Sequence, residues 1–200
     1  PAVAKAAIDG GVARLTIDDW QQYEEELKER LGFSKEIIRI MIQKARKSPR
    51  KIVYPEGEKE KIVRAANSVY MDNIGNPILL GNKEKIRSLI KELEYDPSNF
   101  EIIDPKDCDN CAEYAEAFYK KRFRKGVTNN SAHQLMKQPN YYGAMMLEMG
   151  DADALIGGLS SHYPATIRPA LQCVGVKKGV DVVSGLYIVI VKSKAYFFAD

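Results

Sequence analysis

The chain has 200 residues and a formal net charge of +3, with 45% hydrophobic and 28% charged residues, a composition typical of a folded globular protein. The net charge is too small to indicate nucleic-acid binding by itself, and the longest apolar run, Leu186 to Val191, is far too short to span a membrane. Three cysteines and no signal-peptide pattern favour a reduced, cytoplasmic compartment.

The first 50 residues are predicted to form a helical connector. A first helix ends at Gly10 and Gly11, because glycine commonly terminates helices. A second helix is capped by Asp18 or Asp19 and ends at Gly32. Its apolar residues recur at helical spacing and are Trp20, Tyr23, Leu27 and Leu31. A third helix is capped by Ser34, ends at Pro49 and carries the stripe Ile37, Ile38, Met41, Ile42 and Ala45. These stripes are candidates for self-association.

From Lys51 onward the pattern alternates between strands and helices. Strands are predicted at 51–54, 76–81 and 100–105, with helices at 59–75 and 83–93 between them. Asn82 caps the second of these helices. The first buries one face formed by Ile62, Val63, Ala66, Val69 and Tyr70. This order predicts an α/β fold, a parallel sheet flanked by helices with right-handed crossovers.

The middle of the chain is predicted to be helical, and strands return after it. Helices cover 110–126, 128–138, 141–150 and, after a fourth strand at 151–158, residues 164–175. The methionines of the 141–150 helix are expected in the core. A composition change at 175–179 marks a domain hinge. Strands at 179–193 and 195–200 follow, and Leu186 to Val191 is expected to be buried.

Several clusters of basic, cysteine and histidine residues do not predict a functional site. Basic runs at 44–51 and 120–125 are typical of solvated helix faces or linkers. Cys108 and Cys111 have the spacing of half a zinc site or a redox motif, but no second pair accompanies them. Cys173 is distant in sequence, and His133 is expected to face solvent. No metal site is therefore predicted.

The segment 157–169 is the strongest candidate for a ligand site. In parallel α/β folds, ligands bind at the carboxyl ends of the strands, an edge that also includes the turns at 55–57, 81–82 and 104–105. Gly157 and Gly158 would let backbone amides approach an anion, and a helix starting near Pro164 would aim its amides into the same loop. Short hydroxyl donors would come from Ser160, Ser161 and Thr166. A purely structural turn is the alternative.

Two arginines are candidates to meet the anion. Arg168 lies early in the helix after this loop, where a cation opposes the helix dipole and a bound anion would offset that cost. Arg122 lies late in the 110–126 helix, with Gly126 just after it, and aromatic residues can hold it rigidly for bidentate binding. The usual phosphate-loop, dinucleotide and nucleophile-elbow signatures do not occur.

Six segments in this order resemble phosphate acetyltransferase: KIVYPEGE, RKGVT, YYGAMMLEMGDADALIGG, TIRPALQ, GVDVVSGLYIVIV and FFAD. The resemblance runs from about Lys51 to Asp200. It implies a two-domain fold of the isocitrate/isopropylmalate dehydrogenase-like type with a cleft between the domains. Arg122 and Arg168 match two arginines that contact phosphate or acyl phosphate in that family. The family's catalytic base, with its nearby serine and arginine, would follow Asp200, so this chain alone is expected to be inactive.

Residues 1 to 33 resemble the end of the catalytic part of a bacterial malic enzyme. The combination is that of multimodular NADP-dependent malic enzymes, which carry a phosphotransacetylase-like module behind their oxidoreductase domains. It implies domains at 1–33 (connector), 34–178 (first transferase-like domain) and 179–200 (start of a truncated second domain). We therefore treat the chain as a fragment of a longer polypeptide.

The malic enzyme resemblance also implies a regulatory function. The whole protein would convert malate to pyruvate and CO2, with NADP and a divalent metal bound by domains outside this chain. The present chain would need no cofactor and would bind acetyl-CoA, acetyl phosphate or phosphate, with acetyl-CoA as an allosteric effector in a homo-oligomer. The alternative is an active phosphate acetyltransferase that moves acetyl between CoA and phosphate.

Overall fold

The computed structural model describes residues 2–24, 33–191 and 194–199. Its helices are α1 (Ala2–Asp9), α2 (Phe33–Lys47), α3 (Glu60–Met71), α4 (Lys83–Glu92), α5 (Cys111–Arg122), α6 (Asn129–Met136), α7 (Pro139–Met149) and α8 (Tyr163–Cys173). Its strands are β1 (Arg50–Tyr54), β2 (Gly75–Leu80), β3 (Glu101–Ile103), β4 (Ala154–Leu155), β5 (Leu186–Val191) and β6 (Lys194–Ala199). Among the residues described, every helix is too short or too polar to cross a lipid bilayer.

Four strands form one parallel sheet in the order β3-β2-β1-β4. Val53 of β1 lies opposite Ile78 on one side and Leu155 on the other. All four strands therefore end at the same edge of the sheet, and the turns at 55–57, 81–82 and 104–105 lie there with the loop after β4. The predicted α/β fold with a parallel sheet is confirmed.

Helices cover both faces of this sheet. Neighbouring residues of a strand point to opposite faces, and because both are apolar here, each face needs a covering layer. Val53 and Leu80 face one core, which also contains Tyr114, Phe118, Met136 and Met145 from α5, α6 and α7. Tyr54 and Leu79 face the other core, which contains Ile62, Val63, Ile86 and Ile90 from α3 and α4. Met145 and Met146 of α7 are buried as predicted, whereas Met149 at the end of the helix is 39% exposed.

The close approach of α7 to the sheet depends on Gly143. A Cβ atom at this position would lie 2.8 Å from Val53 Cγ1, 3.0 Å from Leu155 Cδ1 and 3.3 Å from Leu80 Cδ1. These distances are shorter than ordinary carbon contacts, so only glycine fits without a shift of the helix or strands.

Several local predictions about the parallel sheet and its helices can be compared with the structure. Asn82 caps α4 as predicted, since its side-chain oxygen accepts a hydrogen bond from the Lys85 backbone N–H at 3.0 Å. Helix α3 ends at Met71, four residues earlier than predicted, because Asn73 adopts a φ of 54° and β2 begins at Gly75. Tyr70, predicted on the buried face, is 37% exposed because it lies in the last turn before that end.

The chain divides into two units, residues 44–182 and residues 1–43 with 183–200. The predicted hinge at 175–179 lies just inside the end of the first unit, and the proposed domain boundaries stay a prediction. In the second unit β5 and β6 form an antiparallel hairpin. The prediction that 186–191 is buried is wrong, because one partner strand covers only an edge: Leu186 is 63% and Tyr187 70% exposed.

The connector helices are only partly as predicted. Helix α1 ends at Asp9, directly before Gly10 and Gly11, as expected. Residues 20–24 are helical, and the Trp20 and Tyr23 rings meet edge to face with their centroids 6.0 Å apart; Leu27 and Leu31 lie outside the described residues. Helix α2 begins at Phe33, and the capping role predicted for Ser34 concerns a side chain outside the described ones.

Candidate functional site

The loop between β4 and α8 lies at the carboxyl edge of the parallel sheet. Its first residue continues the sheet, since the Ile156 N–H donates to the Val53 carbonyl at 2.9 Å. Gly158 has a φ of 100°, in the region that favours glycine, and turns the chain back toward the helix. Helix α8 begins at Tyr163 with Pro164 at its second position. The predicted order of strand, glycine loop and helix is confirmed.

Four consecutive backbone N–H groups of this loop, residues 158–161, point at one carboxylate and form what we call the nest. Glu56 Oε2 accepts from the N–H groups of Gly158 at 2.9 Å and Leu159 at 2.7 Å. Glu56 Oε1 accepts from the N–H groups of Ser160 at 2.8 Å and Ser161 at 3.1 Å. The same oxygen accepts from the hydroxyls of Ser160 at 2.7 Å and Ser161 at 3.2 Å. The loop is therefore an anion site whose occupant belongs to the chain itself.

These hydrogen bonds determine the charge of Glu56. Partial burial alone would raise its pKa, but hydrogen bonds from the Ser160 hydroxyl and from the backbone of Ser160, Leu159 and Gly158 outweigh that effect and lower the pKa from 4.5 to about 2. Glu56 is thus ionised across the physiological pH range, and its negative charge complements the partial positive charge of the nest.

The predicted donors of the loop fall into two groups. Ser160, Ser161 and Gly158 direct their donors at Glu56, so any role in binding a separate ligand stays a prediction. Gly157 carries no comparable bond, and a Cβ there would meet only Pro55 and Leu155 atoms at 3.7 Å or more. Thr166 lies on α8, and its buried Oγ1 has no hydrogen-bond partner among the described residues.

Two arginines lie within electrostatic range of Tyr141. Arg168 occupies the second turn of α8, one turn later than predicted, and lines a cavity of about 800 Å³ with Glu56 and Tyr141. Arg122 is the last residue of α5, and its Nε is buried without a hydrogen-bond partner in the described part of the chain. No carboxylate in the described ranges forms an ion pair with either arginine. Neither cation is therefore neutralised by a carboxylate within the described ranges.

The pKa of the Tyr141 phenol is affected by the charges around it. Burial and the neighbouring Cys173 raise the pKa of its phenol, and the positive charges of Arg168 and Arg122 act in the opposite direction. The structure therefore brings the two predicted arginines within electrostatic range of one buried tyrosine. The Tyr141 hydroxyl donates to Gln172 Oε1 at 2.8 Å, which fixes it beside them.

A second, less polar cavity of about 500 Å³ lies against α7, α8 and the loop. Asn140 lines both cavities. Its Nδ2 donates to the Ala165 carbonyl at 3.0 Å, while its buried Oδ1 lacks a partner within the described ranges. Thr166 and Gly157 line this second cavity, so the predicted site residues divide between two adjoining spaces.

Cysteine and histidine residues lie apart from this site. Cys108 and Cys111 form a disulfide with their Cα atoms 5.5 Å apart, just before and at the first turn of α5, so the reduced state predicted for them differs from the structure. Cys173 is buried, which raises the pKa of its thiol to about 12. His133 is exposed on α6, as predicted. The described residues contain no cluster of side chains that could hold a metal ion.

Glu56, Asn140 and Tyr141 were not among the predicted site residues. Pro55, Glu56 and Gly57 were recognised only as a turn at the ligand edge. The signal for Glu56 was a carboxylate that directly follows a buried strand at the ligand edge, where a glycine-rich loop follows another strand of the same sheet. Tyr141 and Asn140 carried no such signal, because they belong to a helix whose residues 141–146 are all buried.

Comparisons with known proteins agree on one family. The model of the phosphate acetyl/butaryl transferase family matches residues 36–200. The phosphate acetyltransferase of Staphylococcus aureus strain Mu50 is 37% identical over 150 residues, which cover 75% of this chain and 45% of the relative. That of Helicobacter pylori strain J99 is 33% identical over 184 residues, which cover 92% of this chain and 35% of the relative.

Solved structures agree with these matches. The EutD phosphotransacetylase from Staphylococcus aureus superposes with a TM-score of 0.74 at 33% identity and covers 83% of this chain and 50% of that structure. The chain thus spans half or less of the length of these relatives.

Proposed function

The chain belongs to the phosphate acetyl/butaryl transferase family, and we propose that it supplies the phosphate-binding part of an active phosphate acetyltransferase. The observation that carries this proposal is the pair of arginines, Arg122 and Arg168, which both lie within electrostatic range of Tyr141 without a carboxylate partner among the described residues. Arg122 is partly buried and its Nε has no hydrogen-bond partner in the described part of the chain, which is costly to a fold. Arg168 is exposed on the wall of the cavity. A bound anion would offset the cost at Arg122 and meet the charge of Arg168.

The proposed chemistry needs no covalent enzyme intermediate. The thiolate of CoA attacks the carbonyl carbon of acetyl phosphate, a C–S bond forms, and the C–O bond to phosphate breaks with its electron pair leaving on the phosphate. Negative charge increases on the phosphate oxygens during this step. Arg122 and Arg168 would bind those oxygens, and a guanidinium can do so through two parallel hydrogen bonds.

Substitution of the arginines tests this proposal. Acetyl-CoA formation from acetyl phosphate and CoA is measured for the complete protein that contains this chain. Loss of one charge-stabilising donor costs roughly 10²- to 10³-fold in turnover, so Arg168→Ala and Arg122→Ala should each lose activity on that scale. Arg87→Ala, on the exposed face of α4, is the matched control and should keep full activity. Equal rates in Arg168→Ala and Arg87→Ala would refute the assigned role.

The ligands of the second cavity follow from the same proposal. Acetyl-CoA or CoA needs an apolar surface for its arm and a few polar groups for its amides. The cavity that Asn140, Thr166 and Gly157 line has both features. Acetyl phosphate or phosphate would occupy the cavity that Arg168 lines. CoA binding measured by calorimetry should weaken in Asn140→Ala, and an unchanged affinity would place the CoA arm elsewhere.

A regulatory module of an NADP-dependent malic enzyme is the second candidate function, and residues 1–33 are what favours it. The relatives named above are phosphate acetyltransferases, and the one from Helicobacter pylori covers 92% of this chain, so its match extends into the residues that resemble malic enzyme. This coverage supports the active transferase over the regulatory module. Malic enzyme activity of the full-length protein with and without saturating acetyl-CoA tests the regulatory reading, and no response would eliminate it.

Self-association is proposed as a companion of either function. The β5–β6 hairpin exposes large apolar side chains, including Tyr187, Phe197 and Phe198, and exposed apolar surface of this kind is typical of interfaces. Sedimentation velocity of the chain at several concentrations measures this directly, and a monomer at all of them would contradict the proposal.

A further inference from the structure

We propose that Glu56 is a positioning residue that occupies the nest and so keeps phosphate out of it, which leaves the arginines as the sites for phosphate. The proposal deepens the transferase function proposed above and rests on it. The sequence pattern of the loop predicts an anion site, and the structure shows that a residue from the turn after β1 already occupies it.

The hydrogen bonding of Glu56 is the first step of the argument. Its two oxygens accept six hydrogen bonds, four from the backbone N–H groups of the nest and two from the hydroxyls of Ser160 and Ser161. A carboxylate has about four lone-pair positions, so its acceptor capacity is fully used. Every N–H of the nest is likewise used, and none is free for a phosphate oxygen.

The location of Glu56 is the second step. Its turn is tied to the sheet, because the Gly57 N–H donates to the Leu80 carbonyl at 3.1 Å. The nest is tied to the same sheet through the Ile156 N–H and the Val53 carbonyl. Glu56 therefore joins two rigid supports, and the loop that it holds leads directly into the helix that carries Arg168.

Charge is the third step. Glu56 and Arg168 line the same cavity, yet Glu56 makes no ion pair with Arg168 because the nest holds its carboxylate. A phosphate that enters this cavity is repelled from the Glu56 end and attracted to the Arg168 end. The arrangement thus sets the position of the phosphate without neutralising the arginine.

Backbone amide resonances of the isotopically labelled chain test the proposal without any substitution. Inorganic phosphate is titrated at neutral pH, and the resonances of residues 158–161 should not move while those near Arg168 do. Saturable movement of the nest resonances would overturn the proposal. No movement anywhere would instead overturn phosphate binding at the arginines, and the variants below would then decide the role of Glu56.

Phosphate binding by variants is the second test. In an Arg168→Ala background, removal of Glu56 by Glu56→Ala opens the nest and should tighten inorganic phosphate binding by roughly tenfold or more, because charged acceptors on free N–H groups bind strongly. Glu58→Ala is the matched control. Its carboxylate lines the same cavity but accepts from Asn82 instead. No gain in Glu56→Ala, or an equal gain in Glu58→Ala, would refute occupancy of the nest as the cause.

Discussion

Replacement of Glu56 by glutamine should destabilise the protein at neutral pH, and this cost should disappear in acid. The carboxylate has a pKa of about 2 in the folded chain against 4.5 for an unperturbed glutamate. A depressed folded pKa contributes stability that is fully present above pH 4.5 and is lost as the pH falls toward 2. Below that range Glu56 is protonated in both states and resembles glutamine.

The size of this contribution follows from the same two pKa values. Their difference corresponds to roughly 3 kcal/mol at about 1.4 kcal/mol for each pKa unit. Glu56 is only partly buried, and solvent screening reduces the figure to about 1–2 kcal/mol. Glutamine keeps the length of the side chain, but it removes the charge and replaces one acceptor oxygen by an NH2 group that cannot accept from the nest.

Urea unfolding of wild type and Glu56→Gln between pH 7 and pH 2 measures the prediction. The difference in unfolding free energy should be constant above pH 4.5 and shrink steadily below it. Glu92→Gln, on the exposed face of α4, is the control and should show little difference at any pH. A Glu56→Gln difference that is independent of pH, or that grows in acid, would refute the assignment of the stabilisation to the ionised carboxylate.

Two further predictions concern the supports of the site. Gly143→Ala should lower the free energy of unfolding by about 1–3 kcal/mol, because its Cβ would overlap Val53. Gly157→Ala has room for a Cβ and should lower it less. Chemical unfolding of both variants distinguishes the packing clash from a general effect of replacing glycine. Asn82→Ala should cost about 1 kcal/mol through loss of the cap on Lys85, and an unchanged unfolding midpoint would show that the cap does not matter.

The order of strands and helices could be predicted from the sequence, because the patterns that indicate them are local. Strand and helix periodicity, Asn82 as a cap and glycine at the end of α1 each act within a few residues of chain. Where tertiary contacts decide, the predictions were weaker. The exposure of Tyr187 in β5 depends on which elements cover the hairpin, and apolar composition alone cannot determine that.

The segments that form the site could be predicted from the sequence, but the hydrogen bonds within the site could not. Arg122 and Arg168 were identified from their positions in the predicted helices and from segments resembling a family, and the loop from its glycines and hydroxyls. The bond from Glu56 to Ser161 spans 105 residues and exists only because the parallel sheet brings the ends of β1 and β4 together. A pattern that predicts an anion site does not reveal whether the anion comes from the chain or from solution.

The occupied nest explains how Arg168 can remain without an ion pair in a cavity that also contains a carboxylate. Glu56 and Arg168 line the same cavity, and opposite charges attract each other there. Six hydrogen bonds from the nest compete with that attraction and hold the carboxylate in the loop. The loop binds Glu56, which would otherwise compete with phosphate for Arg168. Under the proposed function, the charge of Arg168 is then free to bind the phosphate that the reaction releases.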